Sequence, residues 1–147
     1  MRSDVDTLQL ALESMRERVN KALHALIETE LEHGAGEVAR EAGRILNAGG
    51  KRLRPLLLLL AYQLAGGQDE SKVMPLALGF ELIHTATLVH DDINDNALER
   101  RGIPTIHTQF GQAKAVIAGD WLFVQGFSLA ARQSEEVVDI IARSCAN

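Results

Sequence analysis

The residues of this chain best suited to chemistry fall in two charged clusters. The first is LVHDDINDNALERRG, Leu88 to Gly102, where four acids and three bases share fifteen residues. On a helix, Asp91 and Asp95 lie four apart on one face, with Asp92 about 100° away. Acids at a helix C-terminus oppose its dipole, which favours cations there. Water can tolerate such crowding on a surface, whereas a divalent cation turns the cost into a gain. Three carboxylates with no cysteine beside them form a hard-oxygen set that suits Mg2+ better than Zn2+. Mg2+ held by one or two carboxylates keeps its other positions for water and phosphate oxygens. Arg100 and Arg101 follow, and their forked donors match phosphate.

The second cluster is GGKRLRP, Gly49 to Pro55. Lys51, Arg52 and Arg54 sit between a glycine pair and a helix start, where free backbone N–H groups also favour an anion. The glycine spacing is not that of a Walker loop, and no Ser or Thr follows the lysine. Either cluster alone also fits a solvated surface. Together they suggest anion sites bridged by metal.

Helices must position both clusters. Asp6 to Glu32 carries Leu8, Leu12, Val19, Leu23, Leu26 and Ile27 mostly three or four apart, and a second helix is expected from Glu37 to Asn47. After the NAGGKRLRP loop, Pro55 opens a helix whose Leu56 to Ala65 is apolar on every side, as in a bundle core. Ser71 is a fair N-cap for the next helix, which should run through Pro75 to about Asp95 and carry the aspartates at its end. Arg101 to Pro104 breaks the pattern. Another helix spans roughly Gln112 to Arg132, and Ser134 caps a last one. No β-alternation of useful length appears, so the expected fold class is an all-α bundle, and 147 residues suffice for one domain.

Beneath the acids, Thr87, His84 and Phe80 fall within about 40° of Asp91. A histidine on an apolar helix is ordinarily a satisfied core residue, but this stacking makes His84 a candidate site residue as well. His90 and His107 lack it and read as structural.

Composition narrows the class. The net charge of −5 argues against nucleic acid or an acidic membrane as partner. The single cysteine, Cys145, excludes an internal disulfide framework and fits a cytoplasmic location. Leu53 to Ala65 is too short to span a bilayer, and the charged N-terminus is unlike a secretory signal.

GGKRLRP, HDDIND, ERRGIPTIHTQFG and AGDWLF, in this order between about Glu37 and Ala131, closely resemble the trans-isoprenyl diphosphate synthases, or polyprenyl synthetases. The resemblance implies the N-terminal part of the isoprenoid synthase helical bundle, with a deep central cavity and usually a homodimer. It implies that Asp91, Asp92 and Asp95, the DDxxD motif, bind Mg2+ bridging to an allylic diphosphate. Lys51, Arg54 and His84 would hold the diphosphate of isopentenyl diphosphate, while Arg100 serves the allylic diphosphate and Arg101 the isopentenyl one. Arg52 lies between matching positions and reads as a surface charge. The implied reaction is electrophilic prenyl transfer, with Asp91, Asp95 and Arg100 as the catalytic set. Short-chain members carry bulky aromatics four and five positions before the first aspartate. Here those positions hold Thr87 and Ala86, which points to geranylgeranyl or longer products.

The family's second aspartate-rich motif has no counterpart: after Asp120 the acids are Glu135, Glu136 and Asp139, in no comparable arrangement. SEEVVDIIARSCAN is still helix-patterned at the last residue, which favours a chain cut short. Three readings follow: an N-terminal portion of a long-chain synthase, inactive alone; a half-enzyme completed by a partner chain; or a non-catalytic helical interaction protein that kept the motifs.

Overall fold

The computed structural model describes residues 2–146. It is all-α, as expected: α1 (Arg2–Glu32), α2 (Gly36–Asn47), α3 (Leu53–Leu64), a 3-10 turn (Glu70–Lys72), α4 (Met74–Asn94), α5 (Ile106–Phe110), α6 (Gln112–Ala131) and α7 (Glu135–Ala146). Between α4 and α5 lies a hairpin of two-residue strands, β1 (Glu99–Arg100) and β2 (Ile103–Pro104). Neither the hairpin nor α5 is visible in the periodicity, because both are shorter than the period needed to read them.

Helix α4 runs through the centre of the bundle, and its closest neighbour is α6. A Cβ on Gly79 would stand 2.9 Å from the Gly126 carbonyl oxygen, and one on Gly126 the same distance from that of Gly79. Immediately before the aspartates, His90 occupies the same kind of gap: a Cβ on Gly119 would stand 2.2 Å from its ring. Absent side chains thus bring the two backbones together. Leu82, Ala86 and Val89 of α4 lie in one buried core with Ala115, Ala118, Leu122 and Leu129 of α6. This packing sets the rotation of α4 about its axis, and so decides which acids face inward.

The other helices differ from expectation in instructive ways. Helix α1 buries Met15, Val19, Leu23 and Ile27, a strict four-residue stripe, but leaves Leu8 exposed. Helix α3 is not enclosed on every side: Pro55, Leu56 and Leu59 are buried, whereas Leu57 is 65 % and Leu64 89 % exposed. Its uniform apolarity reports a helix with one face covered and another bare. Ser71 does not cap α4. Its N–H and hydroxyl both donate to Asp69 Oδ1 at 3.1 and 2.6 Å, so Asp69 caps the 3-10 turn and α4 starts after Val73. Ser134 does cap α7, accepting from the Val137 N–H at 3.3 Å.

Candidate functional site

The end of α4 is built from backbone as much as from side chains. Asn96 adopts a left-handed conformation (φ 50°), and the Ala97 N–H donates to the Asp92 carbonyl at 2.9 Å, the closing bond of a Schellman stop. Arg101 and Gly102 then both take positive φ, 53° and 76°, as a tight hairpin turn requires. Buried Thr105 staples the base: its N–H reaches the Leu98 carbonyl at 3.0 Å and its hydroxyl the Ala97 carbonyl at 2.8 Å. The result aims two consecutive arginines in different directions.

Arg101 enters a cavity of about 220 Å³ lined by Lys51, Arg52, Leu53, Arg54, Glu81, His84 and Arg101. The GGKRLRP loop, the middle of α4 and the hairpin turn therefore bring Lys51, Arg54, His84 and Arg101 to one place. Arg101 donates to the Ile45 carbonyl at 3.1 Å and lies 3.7 Å from Glu81. Burial, and then the charge of Arg52, pull its pKa below the ordinary guanidinium value. Burial, followed by the charge of Arg54, likewise lowers that of His84, which favours a neutral imidazole near pH 7. Gly50, at φ 143°, leaves room for this: a Cβ there would lie 3.1 Å from the Arg101 guanidinium. Cations crowded at a half-closed mouth, with a neutral imidazole beside them, are suited to a polyanion.

Arg100 turns the other way, to Asp92. Its Nε lies 2.9 and 2.8 Å from the two carboxylate oxygens, and Nη2 lies 2.6 Å from Oδ1. These bonds raise the Arg100 pKa. Asp92 is buried, whereas Asp91 and Asp95 are exposed. The expected three-aspartate metal set is therefore divided in this structure, with Asp92 engaged by Arg100 and Asp91 and Asp95 open to solvent. Among the described residues no three Asp, Glu, His or Cys side chains converge closely enough to hold a metal by themselves. Two hard-oxygen donors a helical turn apart still fit Mg2+, which characteristically completes its shell with water and phosphate.

Below Asp91, a cavity of about 320 Å³ is lined by Arg54, Phe80, Ile83, His84, Thr87 and three residues of α7. The stacking of Phe80, His84 and Thr87 inferred from helical spacing thus holds. Ala86 does not line this cavity. It is fully buried in the core shared with α6, so of the two small residues only Thr87 borders the space. His90 packs on α6 against the Phe123 ring, as a structural residue should. His107 is half-buried and lines neither cavity.

Two participants escaped the sequence reading. Arg52 is no surface charge: its side chain is 2 % exposed and is bonded to Glu81, itself 3 % exposed, at 2.8 Å. A left-handed φ of 53° at Arg52 carries the side chain inward. Glu81 stood on an apolar helix face, and an acid among Phe80, Leu82 and Ile83 was the available signal.

Residues 37–147 match the sequence model of the family described as polyprenyl synthetase. The chain is 43 % identical over 106 residues to a short chain isoprenyl diphosphate synthase of Methanocaldococcus jannaschii, covering 69 % of this chain and 32 % of that protein. It is 40 % identical over 117 residues to a nonaprenyl diphosphate synthase of Mycobacterium tuberculosis, covering 80 % and 35 %. Among solved structures, it superposes on a geranylgeranyl pyrophosphate synthetase of Geoglobus acetivorans with a TM-score of 0.82 at 35 % identity, over 92 % of this chain and 45 % of that one. The chain spans about a third of the length of the curated relatives it matches.

Proposed function

The chain belongs to the polyprenyl synthetase family, and on that premise we propose that it supplies two parts of a prenyltransferase site. These parts are a pocket for the diphosphate of isopentenyl diphosphate and an aspartate pair for the metal of an allylic diphosphate. The observation that carries this reading is the convergence of Lys51, Arg54, His84 and Arg101 on one small cavity, with Asp91 further along the same helix as His84 and Asp95 at its C-cap.

The reaction joins the two substrates into an all-trans polyprenyl diphosphate of geranylgeranyl length or longer. Lys51, Arg54 and Arg101 hold the isopentenyl diphosphate by charge-assisted hydrogen bonds and so fix its double bond in place. Asp91 and Asp95 would hold the metal, and Asp92 aims Arg100 toward the allylic diphosphate. Bound Mg2+ would supply charge stabilisation to the departing diphosphate. As the allylic carbon–oxygen bond breaks, Arg100 stabilises the developing charge and the isopentenyl double bond attacks the allylic cation. The released diphosphate accepts the proton that then leaves. Phe80, Ile83 and Thr87 give the growing chain an apolar wall and keep water from the cation. A family-typical homodimer and a cytoplasmic location belong to the same reading; no described helix is long and apolar enough to cross a membrane.

The test is calorimetric. The chain should bind isopentenyl diphosphate, and Lys51→Ala or Arg54→Ala should weaken binding by about tenfold or more, the value of a charge-assisted hydrogen bond. Steady prenyl transfer is not expected of these 147 residues, which hold one aspartate-rich motif. An absence of diphosphate binding in the folded chain would overturn the assignment.

A second reading, a subunit completed by a partner chain, is favoured by the bare apolar face of α3, where Leu53, Leu57 and Leu64 are exposed. Light scattering distinguishes it: a chain that stays monomeric at high concentration, with Leu57→Glu changing nothing, would speak against it.

A further inference from the structure

All three guanidinium nitrogens of Arg52 are already engaged by the protein, through three of its five N–H donors. Nε donates to Asn20 Oδ1 at 2.8 Å, Nη1 to Glu81 Oε1 at 2.8 Å, and Nη2 to the Leu46 carbonyl. One guanidinium therefore ties α1, α2 and α4 to the residue preceding α3. Although Arg52 borders the pocket, each of its nitrogens is anchored to the protein, which fixes the guanidinium in place. Its backbone is held in the left-handed region, a strained conformation for a non-glycine residue that persists where surroundings over-determine it. Lys51 and Arg54 flank that turn.

Glu81 is the acid of this pocket, one helical turn before His84. The same oxygen, Oε1, accepts from Arg52 and lies 3.7 Å from Arg101. The lining carries four cations, Lys51, Arg52, Arg54 and Arg101, and this one carboxylate. A carboxylate in an anion pocket opposes the ligand by Coulomb's law. Its presence makes physical sense if it keeps two mutually repelling guanidinium groups, the buried Arg52 and the half-buried Arg101, in place before the anion arrives.

We propose that Arg52 and Glu81 are positioning residues: the buried pair fixes the turn that presents Lys51 and Arg54, and holds Arg101 at the diphosphate position without either residue contacting the ligand. This rests on the reading of the cavity as a diphosphate site. The pocket is thus rigid at the expense of one opposing charge, an instance of preorganised binding.

The positioning role and simple electrostatics predict opposite signs for Glu81→Gln. By charge alone, removing the acid should tighten binding of inorganic diphosphate. By positioning, affinity should fall about tenfold or more, the scale seen when an outer partner of a binding residue is lost. Glu81→Asp, which keeps the charge, should recover part of it. Titration calorimetry of the whole chain with inorganic diphosphate measures this, with circular dichroism confirming that each variant is folded. Arg52→Met combined with Glu81→Gln leaves no uncompensated buried charge and guards against loss of fold; it too should bind weakly. Equal or tighter binding by folded Glu81→Gln, or by the double variant, overturns the proposal. If the unaltered chain binds no diphosphate, or Lys51→Ala binds as well as it does, the site assignment fails instead.

Discussion

Asp92 and Arg100 close on each other across the end of α4: Nε is within 2.9 Å of both carboxylate oxygens, and the acid is buried beneath the base. They are eight positions apart in the chain, and the Schellman stop and the hairpin return the chain to make the pair. The aspartates of one motif are therefore expected to behave differently.

Arg100→Ala leaves a buried carboxylate without its partner. The loss is expected at about 3 kcal/mol, the lower end for a broken buried pair because Arg100 is 27 % exposed. Urea denaturation midpoints measure it, and a change below about 0.5 kcal/mol would show that the pair contributes nothing.

Asp91→Asn and Asp95→Asn should leave stability within about 0.5 kcal/mol, since both side chains are exposed and oppose the helix dipole. What they should abolish is the Mg2+-dependent part of allylic diphosphate binding. Calorimetry with and without the metal reads this directly; equal Mg2+ enhancement in both variants would remove them as ligands.

His84 supplies a pH dependence. Its folded pKa lies below the unfolded value of about 6.5, burial being the main cause. As pH falls, the unfolded chain takes up its proton first, so stability is full above about pH 6.5 and declines as pH drops through the lower folded value. An anion in the pocket favours the imidazolium, so isopentenyl diphosphate binding should strengthen from about pH 8 to 6 more than in His84→Gln. That variant carries the ligand's own titration. Parallel profiles would show that His84 does not face the anion.

Thr87 and Ala86 separate cavity from core. Ala86→Phe forces a ring into packed space and should cost about 1–3 kcal/mol or more. Thr87→Phe should leave the melting temperature nearly unchanged while weakening binding of long allylic diphosphates relative to short ones. Comparing dimethylallyl with geranylgeranyl diphosphate provides the check; equal effects on both would place the chain elsewhere.

The sequence by itself determined the helical class, the order and near-bounds of the long helices, and the chemical character of both charged clusters. Each of these is local: periodicity, caps and the spacing of hard-oxygen and guanidinium groups are read within a few turns. The stacking of Phe80, His84 and Thr87 was legible for the same reason, since helix geometry fixes relative angles. Absolute rotation is not local. It is set where Gly79 and Gly126 let α4 and α6 touch, and that packing decided that Asp92 turns inward while Asp91 and Asp95 stay out, and that Ala86 belongs to the core. Tertiary structure likewise turned Arg52 from a surface charge into a buried tie. Its partners Asn20, Leu46 and Glu81 are distant in sequence or on other helices, and they pair with it because a buried guanidinium must have its hydrogen bonds met.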